Sequence, residues 1–154
     1  MVASVTVKSN SVQLAKQFRK IQKKFPSAIK MALANVSAFQ IDAIKDRTQR
    51  KGISVNGNPF TPYSKRYKRR LVKQSGVVDL TDTGQMFSSL TSKITPSKGS
   101  LFFRNGFANR KAFYHDIAGA GKRKVVRPFF SISNREADKI GQIFAEKVFK
   151  EIGL

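Results

Sequence analysis

Residues 26–50 read PSAIKMALANVSAFQIDAIKDRTQR, and this segment is the principal helix that the sequence predicts. Its apolar residues recur at the three- and four-residue intervals of an α-helix: Ile29, Ala32, Leu33, Val36, Phe39, Ala43 and Ile44. A stripe this wide predicts burial against both a sheet and the first helix, which precedes this segment. Proline fixes φ and suits a first helical turn, so Pro26 is predicted to end or kink the preceding helix and to open this one.

The segment before it, residues 11–25, predicts a first helix with Ser11 as its N-cap. Its apolar residues recur at intervals of four, three and four, which places them on one face: Leu14, Phe18, Ile21 and Phe25. The other faces carry mainly cations: Lys16, Arg19, Lys20, Lys23 and Lys24. Alternating β-branched residues in residues 2–9 predict a short strand at the start of the chain.

The segment after it, residues 51–62 (KGISVNGNPFTP), concentrates Gly, Asn and Pro. This composition predicts a loop, which we expect to be mobile before assembly. A strongly basic stretch, residues 64–73, follows. Tyr63, Tyr67 and Leu71 are four residues apart there, so they predict a short helix anchored on one side.

The middle of the chain predicts one short helix and one hairpin. The hydroxyl and carboxylate groups in residues 81–84 (TDTG) suit a helix N-cap, with Met86, Phe87 and Leu90 on the helix that follows. Residues 91–95 and 100–104, separated by a Pro-Ser-Lys-Gly turn, predict antiparallel strands. Leu101 and Phe103 would share one face, with Phe102 on the other. Asn105-Gly106 is interpreted as a further turn.

The C-terminal third predicts a loop, a strand and a helix. Residues 118–124 (AGAGKRK) are rich in glycine and cations, so a second mobile loop is expected near residues 118–125. Residues 125–131 predict a last strand. Ser133 or Asn134 suits the cap of a closing helix, whose shared apolar face comprises Ala137, Ile140, Phe144 and Val148. The prediction is one α+β domain over residues 1–154, with helices packed on a small antiparallel sheet and a C-terminal helix.

Composition points to a polyanionic partner. The chain has 154 residues, and 30 Lys and Arg against nine Asp and Glu give a net charge of +21. Nucleic acid, anionic lipid and acidic proteins all attract such a chain. The absence of cysteine excludes disulfides, thiol nucleophiles and the usual zinc sites. Neither a signal peptide nor a run of about 18 apolar residues occurs, so a soluble protein made in the cytosol is expected.

Residues able to carry catalysis are few. His115 is the only histidine, and no nucleophile or second ligand stands at a recognisable spacing from it, which favours a structural role. Gly119, Gly121 and Lys122 are only faintly similar to a phosphate loop, because the spacing of the known motifs is absent. The sequence therefore predicts no catalytic residue, cofactor or metal.

Two pairs of carboxylates have an alternative interpretation. Asp42 and Asp46 are one helical turn apart, which suits an acid pair or a metal site, but Lys45 and Arg47 favour a solvated ion-pair surface. Asp79 and Asp82 also form a potential pair, yet their Thr- and Gly-rich surroundings favour turn and cap roles.

Two basic patches are the strongest functional signal in the residues themselves. The first comprises Lys65, Arg66, Lys68, Arg69, Arg70 and Lys73, interleaved with tyrosines, and no acid occurs in residues 47–73. The second comprises Lys122, Arg123, Lys124 and Arg127. Contact with DNA phosphates or an acidic protein and a merely solvated surface remain alternatives. No base-reading motif is present, so DNA contact would be through the backbone.

Residues 59–94 resemble a pattern of the virion-morphogenesis, or tail-completion, proteins of tailed phages. An aromatic-x-Pro-x-Ser stretch, residues 60–64, leads through basic residues to a Leu-Thr-Asp-Thr-Gly segment, residues 80–84. The positions that match in order and spacing are Pro62, Ser64, Leu80, Thr81, Thr83 and Gly84.

A second block resembles the same family. It comprises Tyr114 and His115, a glycine-containing loop, and then Arg127, Pro128, Phe129 and Phe130 before a closing amphipathic helix. The departures are Asp116-Ile117, where Gln and an aromatic residue are common, and Tyr63, where Leu is more usual.

The resemblance implies a structural subunit without catalytic activity. It implies a homo-oligomeric ring of about six subunits in the virion, assembled in the host cytoplasm at the head–tail junction. Connector and tail proteins would be its neighbours, genomic DNA would pass through the lumen with backbone contacts only, and no membrane would be involved. The alternative is a free, sequence-independent nucleic-acid-binding protein.

Overall fold

The computed structural model describes residues 11–70 and 77–153, so the strand predicted for residues 2–9 lies outside the described residues. Helix α1 extends from Ser11 to Lys45 without interruption, and a wide turn of π-helix geometry, Asp46–Arg50, continues it. At 1.5 Å per residue, α1 is about 52 Å long.

Pro26 lies inside α1, so the prediction of two helices meeting at this residue was wrong. The predicted packing of the second helix on the first was wrong for the same reason, and the helix that packs on α1 is the C-terminal one. An interior proline removes one backbone hydrogen bond and crowds the carbonyl four residues earlier. Ala28 and Ala32 are fully buried just after it and hold the following turns against the C-terminal helix. Packing of the turns that follow the residue thus outweighs the local cost.

The predicted hairpin is present. Strand β1, Leu90–Ile94, pairs antiparallel with β2, Gly99–Phe103, and together they form a two-stranded sheet. Phe103 is buried and Phe102 is exposed, as the alternation predicted. A Cβ on Gly99 would lie 2.9 Å from the Ser37 hydroxyl oxygen, so the turn end of the hairpin packs closely against α1.

Three short helices connect these elements. They are α2, Lys65–Lys68; α3, Gln85–Ser88; and α4, Gly106–Phe113, which a second π-type turn, Tyr114–Ala118, extends. Helix α4 was not predicted, because Asn105-Gly106 was interpreted as a turn. The Asn105 side chain instead accepts a hydrogen bond from the Phe107 amide at 2.8 Å and starts the helix.

The strand predicted for residues 125–131 is not formed. Within the described part of the chain, the segment makes only an isolated bridge, between Ala120 and Val125. The Arg127 amide instead donates to a carbonyl of the π-type turn after α4, and the Phe129 and Phe130 amides donate to the Asp116 side chain, as described below. Pro128 lacks an amide donor, which also disfavours a paired strand.

Helix α5, Asn134–Ile152, closes the described fold. Ser133 caps it as predicted, and Glu136 completes a capping box by accepting from the Ser133 amide at 2.8 Å. The N-terminal end of α5 contacts the end of α1 through Glu136, and its C-terminal end packs on Ala28 and Ala32. Helices α1 and α5 are therefore antiparallel.

The core lies between α1, the hairpin and α4. Its buried residues are Ile44, Phe60, Leu80, Met86, Phe87, Leu90, Phe103, Ala108, Ala112 and Phe129. A smaller cluster joins α1 to α5 through Ala28, Ala32, Val148 and Ile152. Helices packed on a small antiparallel sheet with a C-terminal helix form the α+β arrangement that the sequence predicted.

The first turns of α1 extend beyond this core, and we call residues 11–25 the arm. Only Ile21 of its apolar stripe is partly buried. Leu14, Phe18 and Phe25 are between 44% and 62% exposed. The arm has the amphipathic pattern that was predicted, but its apolar face is uncovered.

Candidate functional site

Arg127 joins the two blocks that carry the family resemblance. Its Nε donates to the Thr61 carbonyl at 3.0 Å, and its Nη2 donates to the Pro62 carbonyl at 3.4 Å. The guanidinium carbon lies 5.2 Å from the centre of the Tyr63 ring, within cation–π range. Arg127 is 5% exposed, so its assignment to a surface basic patch was wrong. A buried cation is costly unless polar groups surround it, and these two carbonyls and the ring compensate the guanidinium charge.

Asp116 fixes the residues that follow Arg127. Its Oδ1 accepts from the amide of Phe129 at 2.7 Å and from the amide of Phe130 at 2.9 Å. Phe129 is fully buried and contacts Phe87 edge to face at 5.6 Å. The departure from the family pattern at Asp116 therefore has a local function, because this carboxylate satisfies two amides of a segment that has no strand partner.

The loop of residues 51–62 is bound to the same segment. The Val55 amide donates to the Pro128 carbonyl at 3.1 Å, and the Arg127 amide donates to the His115 carbonyl at 2.6 Å. Phe60 is buried in the core, and its amide donates to the Gly52 carbonyl. Segments 60–62, 115–116 and 127–130 thus converge; we call this cluster the hub. Mobility of the loop before assembly stays a prediction.

Tyr63 connects the hub to the Leu-Thr-Asp-Thr-Gly segment. Its hydroxyl oxygen accepts from the Leu80 amide at 2.9 Å. Leu80 has a φ of 53°, a left-handed conformation that a leucine adopts at a cost. Burial, with a contribution from Asp79, raises the pKa of Tyr63 to about 12, so the phenol stays neutral. The tyrosine therefore holds a strained turn through a protonated hydroxyl.

Residues 81–84 were predicted to cap α3 through a hydroxyl or carboxylate group, and this prediction was wrong. The N-cap of α3 is Gly84, with a φ of 77° and no side-chain hydrogen bond to the helix. Asp79 accepts from the Thr81 amide at 3.0 Å, which confirms a turn role for this carboxylate. Gln49 donates to the Thr81 hydroxyl at 3.0 Å and ties the turn to the end of α1. Thr83 lies exposed before Gly84.

His115 lies beside the hub and is mostly buried, whereas Tyr114 is exposed. Burial lowers the pKa of His115 to about 4, and the positive charges of Arg127 and Lys111 add to the effect. The imidazole is therefore neutral at physiological pH. Among the described residues, none pairs with its buried Nδ1 atom. These features agree with the structural role that the sequence favoured.

The first basic patch lies on and after α2. Lys65, Arg66, Lys68, Arg69 and Arg70 are all exposed, while Lys73 lies outside the described residues. Tyr67 on the same helix is 40% exposed, and its ring lies 5.0 Å from that of Tyr63. Burial raises the pKa of Tyr67, and the charges of Asp82 and Asp79 raise it further. Residues 47–73 contain no acid, but folding thus brings two acids near the tyrosine.

The second basic patch is confined to the loop of residues 118–124. Lys122, Arg123 and Lys124 are exposed there. The two ends of this loop approach closely, so a Cβ on Gly119 would lie 2.2 Å from the Lys124 carbonyl oxygen. Only glycine fits at this position with its φ of 83°. A cleft between this loop and α4 is lined by Lys111, His115 and Lys124, which suits an anionic group on a partner.

Asp42 lies on α1, and Asp46 begins the π-type turn that continues it. Asp46 pairs with Lys51 at 2.6 Å and with Arg50 at 3.4 Å, and its hydrogen bond with Lys51 lowers its pKa. Asp42 is exposed. Within residues 11–70 and 77–153, no three His, Asp or Glu side chains are grouped to hold a metal ion. Asp46 is thus in ion pairs as interpreted, but with Arg50 and Lys51. The predicted solvated role of Arg47 was wrong, because this side chain is buried and paired with Glu136.

Arg47 is the principal residue that sequence reasoning missed. It is buried and paired with Glu136, and its Nη2 donates to the carbonyls of Phe129 at 2.6 Å and Ser131 at 2.7 Å. Burial alone would raise the pKa of Glu136, but hydrogen bonds from the Ser133 amide and Arg47 lower it. Ser133 and Glu136 have the three-residue spacing of a capping box, a signal in the sequence that could have found Glu136, whereas nothing in the sequence distinguishes Arg47 from the exposed arginines.

No helix in the described part of the chain is long and apolar enough to span a membrane. A scan against protein-family models, a search of curated proteins and a search of solved structures each find no match to this chain.

Proposed function

We propose that this chain is a structural subunit of a tailed-phage virion, a tail-completion protein at the head–tail junction. It assembles in the host cytoplasm into a ring around the path of the DNA and joins tail to head. The observation that carries the proposal is the hub. Residues 60–64, 80–84, 114–115 and 127–130 carry the family resemblance, and three of these four segments meet there, with Tyr63 linking the fourth.

The polar groups of the hub support a structural role. Asp116 is occupied by two backbone amides, Arg127 by two carbonyls and an aromatic ring, and Tyr63 by the Leu80 amide. A group that acts on a substrate must reach it and exchange protons with it. Groups already occupied inside the fold instead fix the geometry of a subunit.

The exposed charge fits a passage for DNA. The first basic patch presents five cations on one short element, and the second presents three on a loop. Backbone contacts of this kind are independent of sequence and sensitive to salt. Not all of these cations are needed in a lumen. The others can contact acidic surfaces of neighbouring connector and tail proteins, where charge complementarity guides docking.

The test is the location of the chain in particles. An epitope inserted at the exposed hairpin turn near Ser97 leaves the hub and the basic patches intact. Gold-labelled antibody and electron microscopy of virions should place the label at the head–tail junction. Particles that carry the label only elsewhere, or not at all, would refute the proposal.

A free nucleic-acid-binding protein is the second candidate. The exposed Tyr67 among the cations of α2 favours it, since aromatic and basic side chains together bind nucleic acid strands. Replacing Arg66, Arg69 and Arg70 by alanine would then abolish DNA binding at physiological salt. The matched control replaces three exposed cations of α5, Arg135, Lys139 and Lys150. Equal losses in both variants would indicate a general charge effect and count against this candidate.

A further inference from the structure

Two unlike apolar surfaces are exposed on the same chain. One is the stripe of the arm, described above. The other lies on α4 and the turn after it, where Phe107, Phe113, Tyr114 and Ile117 are between 50% and 65% exposed. We call this second surface the docking face. Contiguous apolar surface of this extent marks an interaction site.

The docking face follows one side of α4 and the turn after it. The rings of Phe113 and Tyr114 are in edge contact, with centroids 6.0 Å apart. Ile117 is one turn after Phe113, so it adjoins this ring pair. Phe107 lies two turns before Tyr114, about 10.5 Å along the helix axis, and Lys111 lies between them with its ammonium over the Phe107 ring.

The arm continues a seam that already packs against a helix. Leu14, Phe18, Ile21 and Phe25 are followed at the same alternation of four and three residues by Ala28 and Ala32. The last two are fully buried against Val148 and Ile152 of α5. This spacing is that of a helix-packing seam. Helix α5 ends at Ile152, so within the described residues it does not extend along the arm.

The two surfaces do not cover each other within one molecule. The hairpin turn contacts α1 at Ser37, which is twelve residues, or about 18 Å of helix, beyond the end of the arm. Helix α4 packs on β2 and α3 and has no extensive contact with α1. In the part of the chain that the structure describes, both surfaces are left exposed, so a second copy of the chain can supply the partner of each.

We propose that the arm of one subunit packs on the docking face of the next subunit. This proposal rests on the proposed function, because it supplies the contact that builds the ring. Two different patches on one chain make a head-to-tail contact, and such contacts close into rings when the rotation between subunits permits.

The apolar area agrees with a subunit interface. A half-exposed aromatic or leucine side chain presents roughly 100 Å², so three on the arm and four on the docking face present about 700 Å². An interface that buries about 1,200 Å² in total, of which about 57% is apolar, contains a similar amount. The two surfaces are therefore sufficient for a specific contact without further apolar residues.

Charge does not block this contact at short range. The positions that flank the arm stripe are Ala15, Gln17, Gln22 and Lys24, so three of the four are neutral. On the docking face, the Lys111 ammonium lies 4.7 Å from the centre of the Phe107 ring and caps that aromatic surface. The remaining cations of the arm point away from the stripe.

Disulfide cross-linking tests the contact directly, because the chain has no native cysteine. One variant carries Phe18→Cys on the arm and another carries Ile117→Cys on the docking face. Both positions are more than 60% exposed, so the fold should persist, and circular dichroism checks it. After mild oxidation of the mixed variants, we expect a dimer that contains one chain of each. Ser97→Cys at the hairpin turn is the control, which should cross-link to neither.

Each outcome separates the two proposals. Dimers of Phe18→Cys alone would indicate pairing between arms and overturn the docking proposal. If the unmodified chain forms rings in negative stain but no mixed dimer appears, the docking proposal is overturned and the proposed ring stands. An unmodified chain that sediments as a monomer at every concentration, with no cross-links in any mixture, would overturn both.

Discussion

Arg47 illustrates how one side chain holds two ends of the fold. It connects the end of α1 to Glu136 at the start of α5 and to two carbonyls of the segment between the hub and α5. Breaking a buried pair leaves an uncompensated charge and unsatisfied carbonyls. Arg47→Met should therefore lower the free energy of unfolding by about 3 to 5 kcal/mol in urea titrations.

Arg50 provides the matched control for this substitution. Its side chain is 83% exposed, and its contact with Asp46 is 3.4 Å long. Arg50→Met removes the same charge from the same turn, yet should change stability by less than about 0.5 kcal/mol. Equal effects of the two substitutions would show that net charge, and not the buried pair, determines the result.

His115 makes stability depend on pH between the pKa values of its two states. The folded value is about 4 and the ordinary value is 6.5, so below pH 6.5 the unfolded chain takes up a proton that the folded chain does not. Stability should thus fall as the pH falls, by about 2 kcal/mol between about pH 7.5 and about pH 5. His115→Gln should remove most of this difference in urea unfolding midpoints.

The pH range of that measurement also isolates His115 from Glu136. The pKa of Glu136 is lowered from 4.5, so its contribution is present above that value and is lost only at more acidic pH. A pH dependence unchanged by His115→Gln over this range would mean that the imidazole is accessible to water in the folded protein.

At the scale of elements, Pro26 tests the continuity of α1. In a helix interior the residue costs a hydrogen bond and creates a steric clash, so Pro26→Ala should stabilise the fold by about 1 to 3 kcal/mol and raise its helical signal. The neighbouring Ser27→Ala, also on the exposed side, should contribute about 0.5 kcal/mol or less. If Pro26 instead opened a second helix, its replacement would be neutral or destabilising.

Elements with local determinants could be predicted from the sequence. The hairpin follows from alternation and a turn, and the start of α5 follows from Ser133 and Glu136, which are three residues apart. The extended segment at residues 125–131 could not be predicted, because its amides depend on Asp116, which approaches only in the folded chain. Helix α4 was missed because its cap, Asn105, is also a common turn residue.

The candidate site was predicted in the same uneven way. Exposed cations of α2 and of the loop at residues 122–124 lie where their composition indicated. Arg127 does not, since burial depends on the carbonyls of Thr61 and Pro62 that reach it from a distant part of the chain. The arm was predicted as an amphipathic helix, but its exposure depends on how α5 packs along α1, which no local pattern contains.

At the scale of the whole molecule, the net charge of +21 opposes contact between subunits and favours contact with DNA. Subunits of like charge repel, and salt screens that repulsion over a Debye length of about 10 Å at 0.1 M. Apolar contact between the arm and the docking face should therefore strengthen as NaCl is raised, with a shift toward oligomers in sedimentation velocity. A Phe18→Ser variant should lose this shift.

DNA binding should respond to salt in the reverse direction. If the five exposed cations of the first basic patch all contact phosphates, log affinity should fall with log salt at a slope of roughly −4 to −5. Between about 0.05 M and about 0.2 M NaCl, this slope corresponds to a loss of roughly a hundred- to a thousandfold in fluorescence anisotropy titrations with duplex DNA. Neutralising Arg66, Arg69 and Arg70 should reduce the slope by nearly three. Oligomers that dissociate over the same range would mean that polyanions, and not apolar faces, hold the subunits together.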